Sequence, residues 1–527
     1  MSQNVSVTFV TLLRRHWLIA ALLVVGLTLR ILALIAYHPA LIYVDTLKYL
    51  YGEYSGSEPL TYTALLRLVL LAGGLGAVAL LQHLLGLAVA VVLYVVLVRR
   101  GAAPWLAALA VAPVLLDAYQ VQIEQMIMPE ALFEAVLVVG IAVLLWRPAL
   151  TVPAAIAAGF VLGSSATVKQ VGVILFAPVV VYILVSGRPL RRSAVMSCAF
   201  IAAFMLPVLG YCAASYARTG HFWLAHRQTF AGRLAAAADC ATLKLPSAVR
   251  PLCPTPAEQA LGPDWLEHNG QSPLFRAPAK PGTRGLLISE LNSAVVHQQP
   301  LRVAAAIVRD SVRLFAPIRT ASGPVTPISR WQFQTSYPTF PPWVSVNKAN
   351  EIVVGVQSRP GLPFRFSVLR PAYGGKAQVD RPVAAVLRSY QLDGGYTPGP
   401  LLALCVLAGL GGSAVALIRR RRGVDDGNAT AAVLLFTALA ATLLLVPDLY
   451  QFTWRYQLSA LITLPPAGVL ALSALITSRR ARAAVSADGL TAGAAAAGAG
   501  QRQPDQLEDV LGRPGPGSHA GGESSSQ

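Results

Sequence analysis

Ten apolar runs, each with at most one charged residue and separated by short polar breaks, dominate the chain; they fall near 16–37, 77–98, 103–118, 131–146, 152–168, 171–186, 195–216, 398–418, 428–447 and 457–477. An α-helix needs about 20 apolar residues to cross the hydrocarbon core. Runs of this length suit helices, whereas barrel strands alternate over about ten residues. The pattern predicts an all-α polytopic membrane protein with about ten transmembrane helices. No small-residue cleavage site follows the first run, so it reads as a retained span.

The interruptions divide the chain further. Residues 1–216 form a membrane module of about seven helices, with a first outer loop over 38–76. Within that loop, Tyr62 to Leu71 reads as a short amphipathic helix lying in the interface. Residues 217–397 hold no full span and are too long for a connector, so a large extracytoplasmic mixed domain is expected between the seventh and eighth helices. Leu286 to Phe315 within it reads as helical. Its two cysteines, Cys240 and Cys253, read as a disulfide outside the cytoplasm, with two free thiols as the alternative. About three more helices occupy 398–482, and the Ala-, Gly-, Ser- and Gln-rich tail, 483–527, is expected to be disordered and cytoplasmic.

Composition agrees. Of 527 residues, 55% are hydrophobic and only 13% charged, against about 25% in an ordinary soluble domain. A formal net charge of +18 would suit nucleic acid, but the basic residues sit in clusters between apolar runs, so no nucleic-acid partner is expected. With Arg14-Arg15 in the cytoplasm, Arg99-Arg100, Arg147, Arg188-Arg191-Arg192, Arg419–Arg422 and Arg479-Arg480 all fall inside as well. Both termini are then cytoplasmic. The preference for Arg over Lys, with abundant Ala and Gly, is that of a GC-rich bacterial genome, and points to a bacterial plasma membrane.

This topology sorts the ionisable residues, and Asp45, His83, Asp117, Glu124, Glu130, Lys169, Asp448 and Arg455 collect on the outer side. Such groups near spans are costly and mark function by default. Asp45 reads as a general base or, structurally, as a loop carboxylate or helix cap before Lys48. His83, beside Gln82, reads as a donor to phosphate or sugar, or as a packing residue. Pro129 suits the first turn of a helix and Glu130 its dipole, so Glu130 is expected to be structural and Glu124 the second acid. Lys169 lies between two spans with almost no loop; it suits a lipid-linked phosphate, a salt bridge to one of the acids, or a snorkelling position. Arg455, in the aromatic run Tyr450 to Tyr456, suits a phosphate clamp or an interfacial belt. No metal or Gly-rich phosphate signature stands out, and no cofactor is expected.

An early outer-loop acid after the first helix, a span beginning near Gln82-His83, short hairpins with Lys169 outside, and a late Arg455-Tyr456 pair resemble the GT-C glycosyltransferases. That superfamily includes protein O-mannosyltransferases and aminoarabinose transferases of lipid A. The likeness covers mainly residues 16–216. Two features depart from it: Thr46 stands where many members carry a second acid, and the large outer segment precedes the last three helices. The resemblance implies a sugar donor on polyprenyl phosphate and an outer-side acceptor that is glycan, lipid or protein. It also implies a single inverting displacement with Asp45 as base. Lys169 and Arg455 then hold the phosphate, while Glu124, His83, Gln82 and Tyr456 complete the site. A transporter or flippase of a lipid-linked precursor would place its charges at mid-membrane and show repeats. A non-enzymatic envelope assembly protein would not need Asp45, Lys169 and Arg455 to meet.

Overall fold

A computed structural model of the chain describes residues 2–51, 60–186, 189–224, 230–280, 282–319, 327–356, 363–421 and 428–476. The tail and the basic positions Arg188, Arg422 and Arg479-Arg480 lie outside the described residues. The chain is a mainly helical, multi-pass membrane protein. Six described helices are long and apolar enough to span: Arg14–Ala36, Leu60–Arg99, Leu190–Arg218, Gly399–Arg419, Ala431–Leu449 and Tyr456–Ile476. A seventh candidate is a pair, Pro104–Leu116 and Ala118–Gln125, bent by 48°. Val152–Val168 and Gln170–Ser186 are shorter apolar helices.

The first element, α1 (Ser2–Ala36), leads into a two-residue strand β1 (Tyr37–His38) and the short helix α2 (Val44–Tyr51). Helix α3 (Leu60–Arg99) is broken at Gly73-Gly74, where Gly74 adopts φ +68°, a conformation that other residues rarely tolerate. The break separates the segment around Tyr62 to Leu71 from the second span, as the sequence pattern indicates. Helices α4 (Pro104–Leu116) and α5 (Ala118–Gln125) form the bent pair, followed by α6 (Glu130–Leu145) and α7 (Val152–Val168). At one end of this bundle Arg100 donates from Nε to the Leu145 carbonyl (2.8 Å), and Arg99 lies over Trp146. The opposite end carries Asp45, Glu130 and Lys169.

The hinge between α4 and α5 holds the module together. Helix α4 ends near Pro113, leaving carbonyls without helical partners. Arg30, buried inside the first span, supplies them. Its Nη1 donates to Leu115 O (3.0 Å) and Gly26 O (3.0 Å), and its Nη2 to Val114 O (3.1 Å). Nε and Nη2 also grip Glu124, each at 2.8 Å. All five guanidinium N–H groups are therefore used. A side chain at Gly86 would collide with the Glu124 carboxylate, so glycine keeps this slot open.

Beyond α8 (Phe176–Ser186) and α9 (Leu190–Thr219), the outer segment packs in two regions. Its first region is helical, with α10 (Ala231–Ala237), α11 (Pro256–Gln259), α12 (Pro263–His268), α13 (Pro273–Arg276), α14 (Arg284–Gln298) and α15 (Pro300–Val312). Leu234, Leu252, Leu266, Leu274, Ile288 and Leu291 form its separate core. The expected helix over 286–315 is present, interrupted at Gln299-Pro300. Cys240 is disulfide-bonded to Cys253, with Cα atoms 5.9 Å apart.

The second region carries a three-stranded antiparallel sheet: β2 (Val344–Val346), β3 (Ile352–Val356) and β4 (Arg365–Val368), in that order. Trp331, Phe333, Val344, Ile352 and Leu369 join the core of the membrane module. Strand β5 (Gln378–Val379) pairs antiparallel with β1, matching Tyr37 to Val379. Tyr37 donates to Gln334 O (2.7 Å), and Tyr337 donates to Ala40 O (2.6 Å). Helices α16 (Arg381–Leu392), α17 (Gly399–Arg421) and α18 (Asn428–Leu445) precede the last span.

Removing one member of a buried, hydrogen-bonded ion pair strands the other charge. Glu124→Leu is therefore expected to cost about 3–5 kcal/mol, read as thermal stability in detergent. The double variant Arg30→Met/Glu124→Leu is expected to recover only part of that loss, because no uncompensated charge remains but the carbonyls of Val114 and Leu115 lose their donor.

Candidate active site

Four separate segments deliver charged groups to one place. Asp45 stands in the first turn of α2, whose N-terminal dipole suits a carboxylate. Lys48, one turn on, donates to Asp45 Oδ1 at 3.3 Å. Arg455, on the stretch leading into the last span, donates from Nη1 to Asp45 Oδ2 at 2.7 Å. Its Nε lies 3.3 Å from Glu130 Oε1, the first residue of α6. Lys169, at the C-terminal cap of α7, reaches the same oxygen at 3.3 Å. Three cations thus share two carboxylates. Asp45, Lys48 and Lys169 keep 26%, 24% and 18% side-chain exposure, so solvent-borne groups reach them; Glu130 keeps 2%.

Aromatic rings enclose the cluster. The Arg455 guanidinium lies 4.7 Å from the Tyr456 ring centroid and 5.2 Å from that of Trp331. Its Nη2 donates to Tyr456 OH at 3.0 Å, and Lys169 Nζ lies 4.8 Å from the same ring. Tyr43 stacks edge-on against Phe340, and its hydroxyl accepts from Arg330 at 2.9 Å. Burial raises the proton affinity of the Asp45 carboxyl, but Lys48 and Arg455 more than reverse this, leaving it ionised well below the usual carboxylate range.

The loop bearing Asp45 is fixed by the turn after α5. Leu41 N donates to Gln125 O (3.1 Å), Ile127 N to Leu41 O (3.0 Å), and Thr46 Oγ1 to Ile127 O (3.0 Å). That turn is held in place by Gln82 Nε2, which donates to Glu124 O (2.8 Å) and Met126 O (2.7 Å).

The structure therefore brings Asp45, Lys169, Arg455 and Tyr456 together and leaves three expected residues elsewhere. Glu124 is wholly buried against Arg30, because the α4–α5 bend turns its side chain into the bundle. His83 lies beside it, with Nδ1 3.0 Å from Glu124 Oε2 and Nε2 2.8 Å from Gln125 Oε1. Gln82 supports the turn and does not face the cluster. The second acid at the cluster is Glu130, which sequence reasoning assigned to helix structure; a first-turn glutamate satisfies the dipole and the cluster alike. Arg30, Arg330 and Trp331 were also missed. A lone arginine within the first apolar run was a signal for Arg30.

Tyr119, Gln122, Trp331 and Trp454 pack closely beside Arg455 and leave no room for a water molecule between them. Gln122 is buried there, and neither of its amide atoms has a hydrogen-bond partner among the described residues. On the flank toward the outer helices, Tyr450 OH lies 3.3 Å from His268 Nε2, and His268 Nδ1 lies 3.4 Å from Asp264. Asp117 closes the bend from outside, accepting from Arg319 Nη2 (2.9 Å) and Thr397 N (2.8 Å).

The model of a known family, dolichyl-phosphate-mannose-protein mannosyltransferase, matches residues 74–226. No curated protein and no solved structure matches the chain. The matched stretch runs from the Gly73-Gly74 break to just beyond α9 and so includes Glu130 and Lys169.

Partial desolvation by its neighbours opposes the charge on the exposed His268 imidazole, but Asp264 and Glu267 raise its proton affinity above that of free imidazole, while burial pushes Glu267 up to about 7. Both groups bind protons more tightly folded than unfolded. Their contribution is full at acid pH, falls between about 4.5 and 7 for Glu267, and falls again as pH rises through the raised His268 value. His268→Gln is therefore expected to flatten the alkaline part of the stability–pH curve, by no more than about 1 kcal/mol because the imidazole is solvent-exposed. Thermal unfolding at pH 6 and pH 10 checks this. The match over residues 74–226 and the multi-pass membrane architecture are both similar to those of membrane glycosyltransferases of the GT-C type.

Proposed function

We propose that the protein transfers a sugar from a polyprenyl-phosphate donor to an extracytoplasmic glycan, lipid or protein acceptor at the cluster of Asp45, Glu130, Lys169 and Arg455. One observation carries this reading: an exposed carboxylate and two phosphate-suited cations, from residues 45, 169 and 455, meet in one aromatic-walled place. The matched family's description names a lipid-phosphate mannose and a protein acceptor, which supports a sugar on a lipid phosphate here. The cluster faces the outside of a bacterial plasma membrane in this reading, with both termini in the cytoplasm.

The reaction is a single inverting displacement. The acceptor oxygen attacks the anomeric carbon, its proton passes to Asp45, and the carbon–oxygen bond to phosphate breaks with the electron pair leaving on phosphate. Arg455 and Lys169 neutralise the charge that develops there. At rest Asp45 is a weak base, since two cations hold it. The donor's phosphodiester monoanion, drawn onto Arg455 and Lys169, competes with Asp45 and Glu130 for those cations, so donor binding raises the basicity of Asp45, and the second negative charge appears on the phosphate only as the sugar leaves it. Buried amides without partners cost about 1–3 kcal/mol, and Gln122 recovers that when donor binding parts the surrounding rings and admits a sugar hydroxyl. The reading needs no metal, because a guanidinium and an ammonium together balance a monophosphate.

Radiolabelled sugar transfer from polyprenyl-phosphate donors in membranes tests this. Asp45→Asn is expected to lower kcat by about 10²–10⁴ at equal expression, and chelation with EDTA to leave the rate unchanged. Undiminished transfer by Asp45→Asn together with loss in Glu130→Gln would move the base to Glu130. Gln122→Leu is expected to reduce kcat/KM for the donor by about 10–100-fold, corresponding to the orphaned-amide cost above. An unchanged value would remove Gln122 from the sugar site.

A further inference from the structure

A second charged cavity lies within the helical region of α10 to α15, and none of its lining residues belongs to the cluster of Asp45, Glu130, Lys169 and Arg455. Its volume is about 150 Å³, and its lining includes Arg233, Gln259, Arg309, Asp310 and Arg313. Three of these are cations and one is an anion. Asp310 is shared: Arg233 Nη2 lies 2.5 Å and Arg313 Nε 3.4 Å from its oxygens. Arg233 is buried to 6% side-chain exposure, yet its Nε has no hydrogen-bond partner among the described residues; nor does Nη1 of Arg313. Gln259 donates to Ala235 O and Ala238 O, so its amide group does not neutralise the excess. A cavity with surplus positive charge and buried unused donors is built for an anion.

The helix that supplies Arg309, Asp310 and Arg313 indicates where that anion comes from. On α15, Leu301, Val308 and Val312 recur at helical spacing and are 83%, 53% and 55% exposed, an apolar stripe left uncovered by the described residues. The same period sets Arg302, Arg309 and Arg313 in a row along one flank of the stripe. This is the pattern of a helix lying in a membrane interface with its arginines at headgroup level. Its C-terminal end sits at the ends of two spans: Ser311 Oγ donates to Asp448 Oδ2 (2.5 Å) and Leu444 O (3.3 Å) at the end of α18. The turn after α15, Arg313–Phe315, packs against α17, whose Leu401, Leu404 and Leu407 face outward as a lipid-exposed surface. The stripe on α15 therefore continues the lipid-facing surface of the membrane module.

We propose that this cavity binds the phosphate of an anionic membrane lipid, with the apolar stripe of α15 seated among the acyl chains and Arg309 and Arg313 as the accessible ligands. Arg233 holds Asp310 from behind and directs its spare N–H to the same phosphate. The site stands independently of the transfer reaction.

The test titrates purified full-length protein in uncharged detergent with short-chain phosphatidylglycerol, inorganic phosphate or uncharged monoolein, read by native mass spectrometry and thermal shift. Phosphatidylglycerol is expected to bind, and Arg309→Gln and Arg313→Gln each to weaken it by about fivefold, the share of one arginine at an anionic surface. Arg309→Lys, which keeps the charge, is expected to retain binding and to report that the site is folded. Parental affinity in the Arg309→Gln/Arg313→Gln double variant would overturn the proposal. So would inorganic phosphate binding as tightly as the lipid, which would make this a site for a soluble phosphate. Monoolein binding equally well would leave only the apolar stripe and overturn it too.

Discussion

A guanidinium in the first span and a carboxylate in the bent third one hold the arrangement on which the rest of the molecule depends. Arg30 completes the carbonyls that α4 leaves open at its end and neutralises Glu124 on the helix that starts again beyond the bend. In a low-dielectric bundle neither demand is met by water, so one side chain meets both. The backbone of Glu124 and Met126 is held in turn by Gln82, and the turn it belongs to carries Leu41 and Thr46. The position of Asp45 thus follows from a charge pair buried in the bundle that takes no part in the cluster.

The cluster above it has the opposite character. Its charges are shared and partly wet: Glu130 is approached by both Arg455 and Lys169, and Asp45 by both Arg455 and Lys48. Neither carboxylate belongs to a single cation and Arg455 bridges the two, so an incoming anion exchanges partners and need not break a sealed pair. The full satisfaction of Arg30 and the partial satisfaction around Arg455 divide structural from reactive electrostatics within one bundle end.

Much of this was legible in the sequence, for a physical reason. A charge beside an apolar run is costly, so Asp45, Lys169 and Arg455 stood out as residues needing a purpose, and the pairing of Cys240 with Cys253 was equally plain. What failed was the assignment of partners. Glu124 and Glu130 are six residues apart on either side of a turn, and linear position does not say which points inward. The bend at Asp117 decides it, and that bend rests on Arg319 and Thr397, about 200 and 280 residues away. His83 and Gln82 were drawn inward by the same geometry. The outer segment read as one mixed domain, whereas its apolar residues are divided between a separate helical core and the core of the membrane module.

The pairing of β1 with β5 bears on the order in which the molecule assembles. Tyr37 matches Val379, Tyr37 and Tyr337 anchor the segments on either side, and Asp45 waits for Arg455, 410 residues further on. Synthesis proceeds from the N-terminus, so the loop that carries Asp45 is among the first pieces made and among the last to find its contacts. Contacts of such sequence separation are slow to form. Most of the helical bundle can therefore be inserted before the cluster exists, and a chain cut short before its last span would hold Asp45 without Arg455. Completion of the site is in this sense a record that the whole chain has been made and threaded.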